Sequence, residues 1–299
     1  MLSIEEIKKG VCTGDYLSLA RAISLIENQV ADGATLLETL QPAAVPIIGI
    51  TGPPGAGKST LISALMQDWV LAGQRIAVLS IDPSSPFHQG AILGDRIRMR
   101  EWYLHPQVFI RSLASRGHLG GLNATTIELT TLLQAAGFDR IIVETVGVGQ
   151  SEVEIAALAD TTIVVLVPEA GDEIQMMKSG LMEIADIFVV NKSDRPAAQT
   201  FIAHLKQMLM GYHRVDQISV VPTIASQKEG ITTLLEAIEL HQKNATSNDA
   251  KKRLLLTKAI QIIAAHKMQS LNRASMELAL SNAMQAPHFN IFEFAKQFF

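Results

Sequence analysis

The sequence predicts an α/β fold, a doubly wound and mostly parallel sheet with helical extensions at its N- and C-terminal ends. Three observations point there. Strand-like apolar runs alternate with helical stretches from Val45 to about His241. The runs are nearly continuous in Val and Ile, as in strands buried on both faces, rather than alternating with polar residues. A glycine-rich loop stands directly between the first run and a helix-like segment.

Residues 1–44 read as helices. The clearest is "GDYLSLARAISLIENQV", where Leu17, Leu19, Ala20, Ile23 and Ile26 recur at spacings near three and four, with Asp15 as N-cap. The strand-like runs follow as "VPIIGI", "RIAVLSI", "QVFIRSL", "DRIIVET", "TTIVVLV", "DIFVVNK" and "QISVVPT". A polar stretch, "HQKNATSNDAKK", breaks the alternation, and from about Ala250 the chain reads as helix with interruptions such as Pro287. The segment "LLLTKAIQIIAAHKMQSL" is too apolar for a solvated helix, so it is expected to pack on a second subunit or on the N-terminal helices. The predicted organisation is an N-terminal helical segment over 1–44, a nucleotide-binding domain over 45–245, and a C-terminal extension over 246–299, a candidate dimerisation arm.

With 299 residues the chain has room for one large nucleotide-binding domain plus helical additions. A net charge of -4 argues against a nucleic-acid partner. Cys12 is the single cysteine, so neither an intrachain disulfide nor a cysteine metal cluster can form, and a reducing compartment suits the chain. The longest apolar runs are strand-sized, well short of the roughly 20 residues of a membrane span. The start, "MLSIEEIKKG", has neither the apolar core of a secretory signal nor an arginine-rich transit bias, so a cytoplasmic location is expected.

The loop itself, within "GITGPPGAGKSTLISAL", is a full Walker A string: Gly52, Pro53, Pro54, Gly55, Ala56, Gly57, Lys58, Ser59, with Thr60 next. Backbone N–H groups at a helix N-terminus are unsatisfied donors in a positive potential, so phosphate is the expected guest. Lys58 is expected to reach the β- and γ-phosphates and the Ser59 hydroxyl to coordinate magnesium. The competing reading is a glycine turn that merely joins strand to helix.

Two carboxylates, Asp82 and Glu144, fall at C-terminal strand ends, where open α/β sheets bind ligands. Glu144 occupies the place of a Walker B acid, with Gly147 as the glycine whose N–H senses a γ-phosphate. The longer Glu side chain is expected to meet magnesium through a water, because this ion keeps several of its own. A solvated strand-end acid is the competing reading of Glu144, and a turn cap before Pro83 that of Asp82. Asp95, in "GAILGDRIRMR", reads either as part of a switch closing over phosphate or as a helix N-cap.

Next, Asn191, Lys192 and Asp194 form an Asn-Lys-x-Asp string directly after a strand, about 135 residues beyond the Walker A loop. An Asp there accepts from guanine N1–H and the exocyclic amine, a bidentate charge-assisted pair that adenine cannot make. A second guanine loop is expected in "PTIASQKEGI", where Ile224, Ala225 and Ser226 stand for the usual Ser-Ala-Lys and the Ala225 N–H is the candidate donor to O6. The expected ligands are GTP or GDP with Mg2+. The eight histidines form no pair at metal-site spacing, and methionines such as Met176, Met177 and Met182 read as core filler.

The strings "GDYLSLARAISLIE", "GITGPPGAGKSTLI", "IDPSSPF", "GAILGDRIRM", "RSLASRGHLGGLNATT", "VETVGVGQSE", "PEAGDEIQMMKSGLMEIADIFVVNKSD" and "EGI" together resemble the MeaB/ArgK family, to which the methylmalonic aciduria type A protein belongs. The resemblance spans roughly residues 10 to 240. It implies a homodimeric GTPase that chaperones a cobalamin-dependent acyl-CoA mutase, typically methylmalonyl-CoA mutase, gating cofactor loading or protection. In the family pattern Lys58 and Ser59 hold phosphate and magnesium, Asp82, Asp95 and Glu144 gather around the metal and the first switch, and Asp194 reads guanine. The stretch Asp172 to Lys178 resembles an additional switch facing the client, with "MMKSG" in place of the more usual lysine-paired string.

No glutamine directly follows Gly147 and no arginine finger is evident, so hydrolysis is expected to be slow without a partner; Gln150 stands nearby. An alternative reading is a P-loop kinase acting on a small molecule or a transport-system protein, which would need an acceptor pocket with its own base. A nickel-insertion GTPase would carry His- or Cys-rich stretches, and direct cobalamin binding a D-x-H-x-x-G string; the sequence has neither.

Overall fold

Each apolar run forms a strand: β1 (Ile47–Thr51), β2 (Ile76–Asp82), β3 (Val108–Ala114), β4 (Arg140–Glu144), β5 (Thr161–Leu166), β6 (Ile187–Val190) and β7 (Ser219–Pro222). The structure is a computed structural model and describes residues 2–82, 99–114, 125–145, 151–168, 180–210, 218–244, 249–268, 273–285 and 289–298. Among these residues the strands make one sheet in the order β3-β2-β4-β1-β5-β6-β7, every neighbouring pair parallel. The chain moves outward through β2 and β3, returns to β4 beside β1, then builds β5, β6 and β7 on the other side. The C-terminal end of β1 therefore lies at the topological switch point, the place where such sheets open a crevice for ligand.

Helices α1 (Ile4–Cys12), α2 (Tyr16–Glu27) and α3 (Ala31–Thr39) precede the sheet, and α4 (Lys58–Leu71) follows β1. Then come α5 (Thr126–Gln134), α6 (Ser151–Leu158), α7 (Leu181–Ile184), α8 (Ala198–Leu209) and α9 (Ile231–Asn244). The continuous apolar strands serve two cores. Ile163 and Val165 of β5 join Leu61, Ile62 and Leu65 of α4 and Leu234 and Ile238 of α9. Val164 and Leu166, one residue out of phase, join Leu181 and Met182 of α7 and Phe201 and Leu205 of α8. Each such buried Ile, Leu or Val contributes roughly 1.5–3 kcal/mol, so register is firmly set on both faces.

The N-terminal helices are tied to the β3 edge. Asp15 caps α2 by accepting from the Ser18 N–H at 2.8 Å. Hydrogen bonds from Ser18, side chain before backbone, hold the Asp15 carboxyl below its ordinary pKa. The Tyr16 ring packs against Phe109 and Phe138, its hydroxyl donates to the Pro106 carbonyl at 2.9 Å, and Glu27 pairs with Arg111.

The chain divides into two compact units, residues 1–248 and residues 249–299. The second unit comprises α10 (Asp249–Met268), α11 (Arg273–Ala283) and α12 (Ile291–Ala295), the last capped by Asn290. The apolar segment expected to be covered forms most of α10, where Leu255, Leu256, Ile260, Ile262 and Ile263 are exposed. Pro287 lies outside the described residues. No described helix is long and apolar enough to cross a membrane.

Candidate functional site

The glycine-rich loop leaves β1 and turns into α4. Gly52 adopts φ 140°, and a Cβ there would overlap the Val165 carbonyl oxygen on neighbouring β5, so only glycine lets the loop pass this close. Gly57 is the N-cap of α4 in the left-handed region, φ 89°. The N–H groups of the first helical turn have no acceptor within the helix, and the dipole adds positive potential there. Lys58 is 8% exposed, and its Nζ donates to the carbonyls of Gly52 at 2.8 Å and Pro53 at 3.1 Å. Those two bonds fold the ammonium back over the loop, which together with the N–H groups makes a built anion cradle. Pro54, Gly55 and Thr60 lie exposed along it, and Ala56 is buried beneath.

Glu144 ends β4 and is 5% exposed. Its Oε1 accepts from the Ser59 hydroxyl at 3.0 Å, and its Oε2 from the Ser80 hydroxyl at 3.2 Å. A buried carboxylate is costly unless hydrogen-bonded, and here each oxygen has a hydroxyl. The register sets this geometry: Glu144 stands opposite Ile50 on β1 and opposite Ser80 on β2. Beside it the Thr145 hydroxyl donates to that of Thr51 at 2.9 Å. Asp82 is the last residue of β2, and its side chain lies outside the described residues, as do Asp95, Gly147, Gln150 and the Asp172 to Lys178 stretch.

Asn191 follows β6 and is 3% exposed. Its Nδ2 donates to the Ala56 carbonyl at 2.8 Å, while its Oδ1 accepts from the Thr223 hydroxyl at 3.2 Å and the Ala225 N–H at 3.1 Å. Lys192, in the left-handed region at φ 56°, donates from Nζ to the Gly55 carbonyl at 2.8 Å. The Ser193 N–H donates to the Thr223 carbonyl at 3.0 Å. The Asn-Lys-x-Asp turn is thus fastened both to the glycine loop and to the loop after β7. Asp194 remains exposed at the end of this turn.

The structure brings Lys58, Ser59 and Glu144 together at the α4 N-terminus, and Asn191, Lys192 and Ala225 beside the same loop. The Ala225 N–H, the expected donor to a purine oxygen, donates to Asn191 Oδ1 at 3.1 Å; it opens the short 3-10 turn Ala225–Gln227, in which Ala225 is buried, Ser226 is exposed and the preceding Ile224 bridges to Glu229. Sequence reasoning missed Ser80 and Thr223. The signal for Ser80 was a hydroxyl inside the mostly apolar run "RIAVLSI", and for Thr223 a hydroxyl directly after the strand-like run "ISVVP". Among the described residues no three His, Cys, Asp or Glu side chains cluster in a way that could hold a metal ion.

A family profile described as Methylmalonyl Co-A mutase-associated GTPase MeaB matches residues 19–277. The chain belongs to the MeaB family. Membership makes it a GTPase, which binds guanine nucleotide and hydrolyses GTP to GDP and phosphate. Among MeaB-like relatives, a protein of Pyrococcus horikoshii is 43% identical over 250 residues, 81% of this chain and 79% of that protein. The methylmalonic aciduria type A homolog, mitochondrial, of Mus musculus is 34% identical over 275 residues, 84% of this chain and 66% of that protein. The crystal structure of LAO/AO transport system kinase matches with a TM-score of 0.69 at 24% identity, covering 100% of this chain and 98% of that chain, a likeness of fold. The MeaB assignment thus accords with the parallel sheet and the glycine loop at its centre.

Proposed function

We propose that this GTPase is a chaperone for a cobalamin-dependent acyl-CoA mutase of the methylmalonyl-CoA mutase kind, gating cofactor loading or protection according to the nucleotide it holds. The observation that carries the nucleotide-binding part of this reading is the tie from Asn191 to the Ala56 carbonyl, which fastens the Asn-Lys-x-Asp turn to the glycine loop. Membership in a family described as mutase-associated supports the choice of client.

In this reading Gly52, Pro53, Pro54, Gly55, Ala56, Gly57, Lys58, Ser59 and Thr60 wrap the phosphates, and Lys58 gives up its carbonyl acceptors for β- and γ-phosphate oxygens. A phosphate is the stronger partner for an ammonium, because the bond is charged on both sides. Asp194 pairs with the guanine edge, Asn191 and Lys192 hold the glycine loop against it, and the Ile224, Ala225 and Ser226 loop walls the base. The oxygen donors at the α4 N-terminus suit a hard divalent cation: the buried Glu144 carboxylate lies beside the Ser59 hydroxyl, an arrangement that fits magnesium. Ser59 would hold the ion directly and Glu144 through water, with Asp82 and Asp95 as further oxygen donors, and the Gly147 N–H would sense the γ-phosphate. Bound magnesium supplies charge neutralisation at the β- and γ-phosphate oxygens.

Hydrolysis is slow without the client, since no glutamine directly follows Gly147, where Ras-like GTPases orient the attacking water, and no arginine finger is evident in the sequence. Such a switch acts on its client when the two nucleotide states bind it with different affinity. The exposed Leu255, Leu256, Ile260, Ile262 and Ile263 of α10 support a homodimer, which light scattering on the purified protein tests. We place the protein in the cytoplasm.

The decisive experiment is a pull-down from native lysate, run in parallel with GDP and with a non-hydrolysable GTP analogue. Recovery of an acyl-CoA mutase whose yield differs between the two nucleotides supports the reading. Its absence in both states overturns it, and phosphate appearing on a small-molecule or protein acceptor, instead of as free phosphate, would establish a kinase.

A further inference from the structure

We propose that Ser80 is a positioning residue that holds Glu144 in the orientation a nucleotide-bound magnesium requires. The inference rests on the nucleotide and magnesium reading above and adds a residue that neither the Walker A loop nor the strand-end acids point to.

Glu144 is tethered at both carboxylate oxygens, by hydroxyls of different origin. Ser59 lies in the first turn of α4, 85 residues away in the chain, and its hydroxyl bonds Oε1. Ser80 lies on the sheet, fully buried at 0% exposure and directly opposite Glu144 in the β2–β4 register, and its hydroxyl bonds Oε2. Ile50 of β1 occupies the third position of this row, so Glu144 is flanked by an apolar neighbour on one side and the Ser80 hydroxyl on the other.

The two tethers have different duties. A Ser59 hydroxyl that turns its lone pairs to magnesium keeps its proton for Oε1, so the Ser59 bond is made or adjusted together with the ion. The Ser80 bond comes from a rigid strand and is present beforehand. It matters more for a glutamate than for an aspartate, because the extra side-chain torsion must be frozen before the carboxylate can face a metal-bound water. A partner that orients a direct metal ligand is worth about 10–100-fold in metal affinity in well-studied sites; Glu144 acts through a water, so the lower end of that range applies to Ser80.

The test measures the affinity of fluorescent GDP for the full-length protein over a magnesium titration, including a point in excess EDTA. Ser80→Ala is expected to raise the magnesium half-saturation by about tenfold or more while leaving GDP affinity in EDTA unchanged, which also certifies that the variant is folded. Ser80→Thr, which keeps the hydroxyl, is expected to return the half-saturation to the wild-type value. A Ser80→Ala protein with wild-type magnesium half-saturation overturns the proposal. If wild-type protein itself binds GDP equally with and without magnesium, the underlying metal reading fails, and that result is separate because it appears before any variant is compared.

Discussion

The side-chain amide of Asn191 donates to the main-chain carbonyl of Ala56 at 2.8 Å, joining two loops that lie 135 residues apart. The same side chain accepts from the Thr223 hydroxyl and the Ala225 N–H, so a single buried asparagine fastens the glycine loop, the turn after β6 and the loop after β7. Asn191→Ala leaves these buried groups short of a partner, at about 1–3 kcal/mol for each that stays unsatisfied. Calorimetric melting should show a fall of several degrees, and GDP affinity should drop with it. A variant that melts and binds like the wild type would remove Asn191 from this role.

Gly57→Ala probes the same contact from the other side. Its left-handed φ of 89° costs an L-residue roughly 1–2 kcal/mol, and the new Cβ would overlap Nδ2 of Asn191. GDP binding measured by fluorescence should be lost while the circular-dichroism spectrum keeps its α/β shape. Retained binding would mean that the loop can reorganise without loss.

Asp194→Asn should lower GDP affinity by about 10- to 100-fold, the worth of a charge-assisted pair, and improve binding of xanthine nucleotides, whose ring complements an amide. The exposed position of Asp194 makes a folding defect unexpected. Competition calorimetry with GDP and XDP reads the ratio, and an unaltered preference would withdraw the guanine assignment.

Lys58→Ala removes the ammonium held by the Gly52 and Pro53 carbonyls. Phosphate release from GTP should fall at least about a hundredfold, in line with loss of one preorganised charge-stabilising donor, with the melting profile largely kept. Unchanged turnover would exclude Lys58 from phosphate contact.

The strands were legible because the pattern that defines them is local. Uninterrupted Val and Ile in "TTIVVLV" or "DIFVVNK" can be buried on both faces only in a covered parallel sheet, and Val164 and Val165 do serve opposite cores. The Asp15 cap was equally legible, since a cap is an interaction over three residues. The apolar C-terminal segment was legible as helix for the same reason, and α10 forms over Asp249–Met268.

The sequence by itself determined the element types, the glycine-rich loop from Gly52 to Ser59, the strand-end acid at Glu144 and the turn ending in Asp194, because each is written in a short contiguous string whose backbone geometry follows from glycine, helix and strand preferences. Only the tertiary structure decided what those groups touch. That Glu144 is held by Ser59 and Ser80, and that Asn191 and Ala225 bond to each other, depends on strand order and register. Hydrogen bonds reach about 3 Å, and which residues come that close across dozens of intervening positions is settled by how the sheet is wound.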